Sequence, residues 1–275
     1  MNVLLLLETG NFSGLPHLFH FVELILIGVA NLQCKPNEVD LICIPQYRDD
    51  KWKGKGKFHN EWIVTKMFPN ATVVHETNLI DKNSNLTVVD RAKCDHGRIN
   101  KAYLKYIKPF DSWKWFHMVD LKVNRANKPV VTYIDRQSAS RRKLPNAVHE
   151  KIVSVLANAP GIEFQHVQME HMEFEDQVRV AQRTDILIGV HGNGLTHTMF
   201  MKPNGFVCEI FVPGVSFQWD YYTLSKMMGH EYTCVFDSRV CAPYLFNNKN
   251  QVCTSVDVDP EWLQGMIKQA IEEYV

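Results

Sequence analysis

The chain lacks a surplus of either charge: 30 lysines and arginines stand against 30 aspartates and glutamates. A nucleic-acid binder needs a basic surface to displace counterions from phosphates, so that class is excluded. Long apolar runs are also missing. The greasiest stretch, residues 21–32, is broken by Glu23 and is too short to cross a bilayer. Residues 1–8 carry no basic group ahead of a short apolar run, so they read as a buried strand rather than a secretion signal. There is no CxxC pair, no zinc-type Cys/His spacing, no Walker loop and no Gly-x-Gly-x-x-Gly fingerprint. Internal repeats and low-complexity tracts are absent as well.

What is present is ordinary globular material. Of the 275 residues, 45% are hydrophobic, which excludes wholesale disorder, and the length suits one large domain or two of common size. Among seven cysteines, Cys43 and Cys208 sit in strand-like apolar runs and read as buried thiols. Cys234, Cys241 and Cys253 form a local, loop-rich group that an oxidising compartment could bridge. Three Asn-x-Ser/Thr triplets start at Asn11, Asn70 and Asn85. Roughly two are expected by chance, so they decide nothing.

Strands and helices alternate along the chain, the pattern of parallel sheets covered on both faces. Strands are expected at residues 3–8, 41–44, 71–76 and 86–89, with helices at 15–32 and 59–68. Residues 51–57 form a small basic loop, best read as solvated, and residues 113–128 read as a helix running into a polar connector. The rhythm then restarts with a strand at 130–134, a helix at 146–158, a strand at 162–167 and a helix at 173–184. Further strands at 185–190 and 205–211 follow, with a helix opening after Gly194 and a last helix starting at Asp259-Pro260-Glu261. The restart implies domains at 1–127 and 128–257, with residues 258–275 a terminal helix that could cross back to the first domain.

The chemistry concentrates in residues 185–200, where a buried strand runs into Gly189-Val190-His191-Gly192-Asn193-Gly194-Leu195-Thr196 and then a helix. Ligands of open parallel sheets bind beyond the strands' carboxyl ends. Glycines permit close backbone approach, and a following helix offers N–H groups to an anion, so a phosphate-bearing ligand is expected. A tight turn without a ligand is the plain alternative. The strand at 130–134 ends in Asp135-Arg136, with Arg141-Arg142-Lys143 just beyond, placing guanidiniums where a diphosphate could be gripped; a solvated basic loop is nearly as good a reading. Glu209 lies inside an apolar strand and needs a partner, either a ribose diol or a buried arginine.

Taken in order, Tyr133-Ile134-Asp135-Arg136, Arg141-Arg142, Asn146, Phe174-Glu175-Asp176-Gln177, the glycine turn, Phe200-Met201-Lys202-Pro203 and Glu209-Ile210 resemble glycosyltransferase family 61. The resemblance covers about residues 128–237. It implies a GT-B-like α/β fold, two Rossmann-like parallel-sheet domains facing a central cleft, with the shorter N-terminal one open to being a reduced version. It further implies an inverting transfer from a UDP-sugar to a hydroxyl of a glycan or glycoprotein, with no metal cofactor. On that reading Arg136 and Arg141 or Arg142 neutralise the diphosphate, the turn Gly192, Asn193, Gly194 and Leu195 contacts it, and Glu209 holds ribose. His191 either touches the phosphates or packs under the turn. The one Asp-x-Asp match, Asp257-Val258-Asp259, is set aside because Asp259 reads as a helix cap. A catalytic base is expected from the first domain, where His20 and Glu23 share one helical face, although polar residues on a helix commonly face water. The resemblance points to the secretory lumen, while the sequence shows no signal or anchor and leaves the cytoplasm open. A nucleotide-sugar-fold scaffold without activity is the competing class.

Overall fold

The computed structural model describes residues 1–7, 17–47, 50–54, 58–90, 119–124, 126–138, 141–241 and 251–274, apart from the side chains of Glu23, Ala30 and Tyr274. Two compact units divide the chain, Met1–Lys108 and Pro109–Val275.

In the first unit β1 (Asn2–Leu7), α1 (Leu18–Asn31), β2 (Leu41–Cys43), α2 (His59–Met67), β3 (Thr72–Val74) and β4 (Asn85–Asp90) alternate as the apolar runs require. The strands form a parallel sheet in the order β3-β2-β1-β4. α1 buries Leu18, Phe21, Val22, Leu24 and Ile25 almost completely, so its first half is apolar nearly all round. Gly28 lets this helix approach the sheet: a Cβ there would stand 3.0 Å from the Leu4 side chain.

The second unit contains β5 (Val130–Ile134), α3 (Asn146–Ala157), β6 (Glu163–Val167), α4 (Phe174–Arg183), β7 (Ile186–Val190), β8 (Phe206–Ile210), α5 (Asp220–Met227), β9 (Glu231–Phe236), β10 (Arg239–Val240) and α6 (Pro260–Tyr274). Its sheet order is β10-β9-β8-β7-β5-β6, parallel except for β10. β5, β7 and β8 are buried at every position, which is why they read as apolar runs, interrupted only by Thr132 in β5 and Glu209 in β8. The chain steps from β5 outward to β6, then returns to lay β7 on the other side of β5. That reversal makes the gap between the ends of β5 and β7 the topological switch point, where open parallel sheets bind ligands.

Two boundaries differ from the sequence reading. The division falls after Lys108 rather than after Asn127. Residues 119–121 are tied to α4, since Gln182 Nε2 donates to the Val119 carbonyl at 2.9 Å and its Oε1 accepts from the Leu121 amide at 2.9 Å. The terminal helix α6 lays Leu263, Met266, Ile267 and Ala270 into the core that holds Ile152 and Leu156 of α3, so it packs within the second unit. Asp259 caps it, accepting from the Glu261 amide at 2.8 Å. The segment after Gly192 is a 3-10 helix, Asn193–Phe200, and α5, β9 and β10 were not anticipated. Of the expected helix at 113–128, residues 113–118 and 125 lie outside the described residues, as do residues 55–57 of the basic loop.

Cys234 and Cys241 are joined in a disulfide, while Cys43, Cys208 and Cys253 are buried free thiols. Burial pushes the Cys208 thiol up to about 12, with the Glu209 charge adding to it. Among the described residues no helix is long and apolar enough to cross a membrane.

Candidate functional site

Alternation along β5 sends Tyr133 and Asp135 to one face and Ile134 and Arg136 to the other. Ile134 meets the glycine turn: a Cβ on Gly194 would lie 3.1 Å from Ile134 Cγ2. Arg136, next on the same side, reaches the start of that turn. A Cβ on Gly192 would lie 2.4 Å from Arg136 Nη1 and 3.7 Å from Arg142 Nη1. Gly192 also holds φ 149 and ψ −179, a backbone region that is open almost only to glycine. The backbone angle therefore calls for glycine at 192, and a side chain there would also push the Arg136 guanidinium aside.

The two guanidiniums converge on one point at the switch of the sheet. Burial and the neighbouring Arg142 charge both lower the Arg136 pKa, and Tyr221 and Glu170 act in the opposite sense. Arg136 Nε is buried and has no hydrogen-bond partner among the described residues. Like charges held together repel, and an anion between them would relieve that repulsion, so this pair of guanidiniums could hold one. Arg141 and Arg142 are both exposed, and Arg142 adopts a left-handed backbone, φ 58. Of the two, Arg142 is the one brought to Gly192.

His191 is 2% exposed and lies beneath the turn, its ring stacked on Phe211 at 5.0 Å and edge-on to Tyr221 at 5.4 Å. Its Nδ1 hydrogen-bonds Glu209 Oε1, and the Tyr232 hydroxyl donates to Glu209 Oε2. Glu209 is thus fully buried with both oxygens engaged by His191 and Tyr232, rather than by an arginine. Burial first, then the Glu209 charge, holds the Tyr232 hydroxyl well above its usual range, so it remains a donor. Leu195 is buried and packs under Gly189, where a Cβ would stand 3.0 Å from Leu195 Cδ2. Asn193 Oδ1 accepts from Thr196 Oγ1 at 3.3 Å within the turn.

Several other motif residues brace this frame. Gln177 is buried and donates to the Met169 and Met172 carbonyls at 2.9 and 3.0 Å. Lys202 Nζ lies 3.5 Å from Asp185, whose other oxygen accepts from the Val130 amide at 2.9 Å, joining the starts of β5 and β7. His230, not anticipated, ties two loops: its Nδ1 accepts from the Gly205 amide and its Nε2 donates to the Thr198 carbonyl, each at 3.1 Å. That pairing fixes a neutral tautomer, and burial takes its pKa down to about 4. A lone histidine in a polar-looking turn gives no sequence signal of this.

In the first unit, His20 lies on α1, half-buried, with its ring 4.9 Å from that of His17 and 5.5 Å from that of Phe19. Glu23 is on the same helix, three residues on, with its side chain outside the described residues.

Comparisons with known proteins bear on the family. The family model described as Glycosyltransferase 61 matches residues 19–208. An EGF domain-specific O-linked N-acetylglucosamine transferase of Drosophila melanogaster is 31% identical over 81 residues, 30% of this chain and 15% of the relative. A beta-1,2-xylosyltransferase of Arabidopsis thaliana is 40% identical over 73 residues, 26% of the chain and 13% of the relative. The Bos taurus EGF domain-specific enzyme is 34% identical over 110 residues, 39% of the chain and 20% of the relative. The matched segments thus span a fifth or less of these curated relatives. With the family model matched across well over half its length, the chain belongs to glycosyltransferase family 61.

Proposed function

We propose that the protein transfers a sugar from a UDP-sugar to a hydroxyl of a glycan or glycoprotein, with inversion and without a metal at the phosphates. The observation that carries this reading is the convergence of Arg136 and Arg142 on Gly192 at the sheet's switch point. In the transfer, the acceptor oxygen attacks the anomeric carbon as the bond to UDP breaks, and a base takes the acceptor's proton. Negative charge grows on the leaving diphosphate. The two guanidiniums meet that charge, together with the backbone N–H groups that a helix start presents, and they need no divalent ion to do so. Glu209, with its oxygens held by His191 and Tyr232, sets the floor of the site; a ribose contact from it would require one of those bonds to open. His20 and Glu23, on α1, are the proposed base and its partner. The printed names of the relatives make N-acetylglucosamine and xylose the first donor sugars to try.

Calorimetry with UDP tests the site. Binding is expected at equal strength in EDTA and in Mg²⁺ or Mn²⁺. It should weaken roughly 10- to 150-fold in Arg136→Ala, the range for losing a charge-assisted hydrogen bond. Undiminished binding by that variant would remove the assignment. UDP release from the two donors, with and without acceptor glycans or peptides, then separates transfer from binding alone.

A further inference from the structure

On the face of β5 opposite Arg136, three side chains from separate elements meet: Asp135 after β5, His149 of α3 and His166 of β6. His166 Nε2 lies 3.1 Å from Asp135 Oδ2, and His149 Nδ1 lies 3.9 Å from Asp135 Oδ1. One ligating atom from each residue falls within 4.8 Å of the other two. We propose that Asp135, His149 and His166 bind a single divalent transition-metal ion of the zinc, cobalt or nickel kind.

The donor set decides the class of ion. Magnesium and calcium take oxygen ligands almost exclusively, whereas two imidazoles and one carboxylate suit zinc and its neighbours. Three protein ligands leave a fourth position for water. Satisfying the carboxylate does not explain the convergence, because each oxygen already has a donor. The Gln137 amide donates to Oδ1 at 2.7 Å and Gln168 Nε2 to Oδ2 at 3.0 Å. These bonds aim Asp135 as outer-shell partners aim a metal ligand. The Tyr133 ring stacks on His166 at 5.5 Å and lies 5.7 Å from the His149 ring, so both imidazoles are packed in place. The Tyr133 hydroxyl, 3.1 Å from His149 Nδ1, is the partner an ion at that nitrogen would displace. Exposure is graded from buried Asp135 through half-buried His149 to exposed His166, so an ion has a path inward.

Because Asp135 and Arg136 project to opposite faces, an ion here does not share the guanidiniums' anion. Its role is to pin the end of β5 from behind. The inference is independent of sugar transfer and compatible with a metal-free phosphate site.

The full chain, stripped with chelator and then dialysed, is titrated with Zn²⁺ and with Co²⁺ alone. One equivalent should bind, and Co²⁺ should give visible bands without a thiolate charge-transfer band. At a hundredfold excess over Kd the melting temperature should rise by roughly 5–10 °C. His166→Ala, at an exposed position, should melt like the metal-free parent and lose uptake, bands and stabilisation together; His149→Ala should lose them too. Absence of uptake by the parent overturns the proposal, as does undiminished uptake by both variants or a thiolate band showing the ion on cysteine.

Discussion

Replacing Gly192 with alanine probes the site through a single methyl group. The new Cβ would arrive 2.4 Å from Arg136 Nη1, closer than any such contact survives, so the guanidinium must move. The backbone resists separately, since φ 149 with ψ −179 costs a non-glycine residue about 1–3 kcal/mol. Displacing the guanidinium from a bound phosphate forfeits a charge-assisted hydrogen bond, about 1.5–3 kcal/mol, or roughly 10- to 150-fold in UDP affinity. Calorimetry with UDP reads the second quantity and urea unfolding the first. The decisive measurement is the double variant. If Gly192 matters for binding because it makes room for Arg136, then Gly192→Ala combined with Arg136→Ala binds UDP no more weakly than Arg136→Ala alone. The stability loss should persist in the double variant, because the backbone strain remains. Additive losses of UDP affinity would refute the steric account and place Gly192's contribution in its own contact with the ligand.

Two further expectations concern stability. His230 is held neutral with a pKa near 4, against 6.5 when unfolded, so the unfolded chain gains a proton first as pH falls. Its contribution is complete above pH 6.5 and declines by about 3 kcal/mol on the way down to pH 4. His230→Gln should flatten the fall in urea midpoint between pH 6.5 and 4.5, and an unchanged slope would contradict the tautomer assigned here. Tyr232→Phe removes the donor to a carboxylate that is fully buried, and should cost about 1.5–3 kcal/mol in denaturant unfolding; a loss under half a kilocalorie would show that Glu209 does not depend on it.

Much of the second unit was legible because its central strands are buried on both sides and therefore apolar but for Thr132 and Glu209. The glycine turn and Arg136 were legible for a related reason, as both sit where such a run stops. The partners of Glu209 were harder. β9 begins Glu231-Tyr232-Thr233, polar enough to pass for a loop, and only the pairing of Glu209 with Cys234 brings Tyr232 alongside. Arg142 could not be told from Arg141 by spacing, since a left-handed residue at 142 redirects the chain. His149 and His166 are far from Asp135 in sequence: His149 reaches it from α3, and His166 through the β5–β6 register, which sets Tyr133 opposite His166. Long-range adjacency of this kind depends on strand order, and strand order is not written locally.

The hairpin that ends the second sheet carries a consequence for handling the molecule. β10 covers the Val235–Phe236 end of β9, and the Cys234–Cys241 bond holds it in place. Once those thiols are reduced, the two-residue flap is retained only by its few ladder bonds. Its departure would bare a row of amides and carbonyls able to recruit a second chain by strand addition. Reduction would then show itself as self-association starting from this margin, before any loss of the interior.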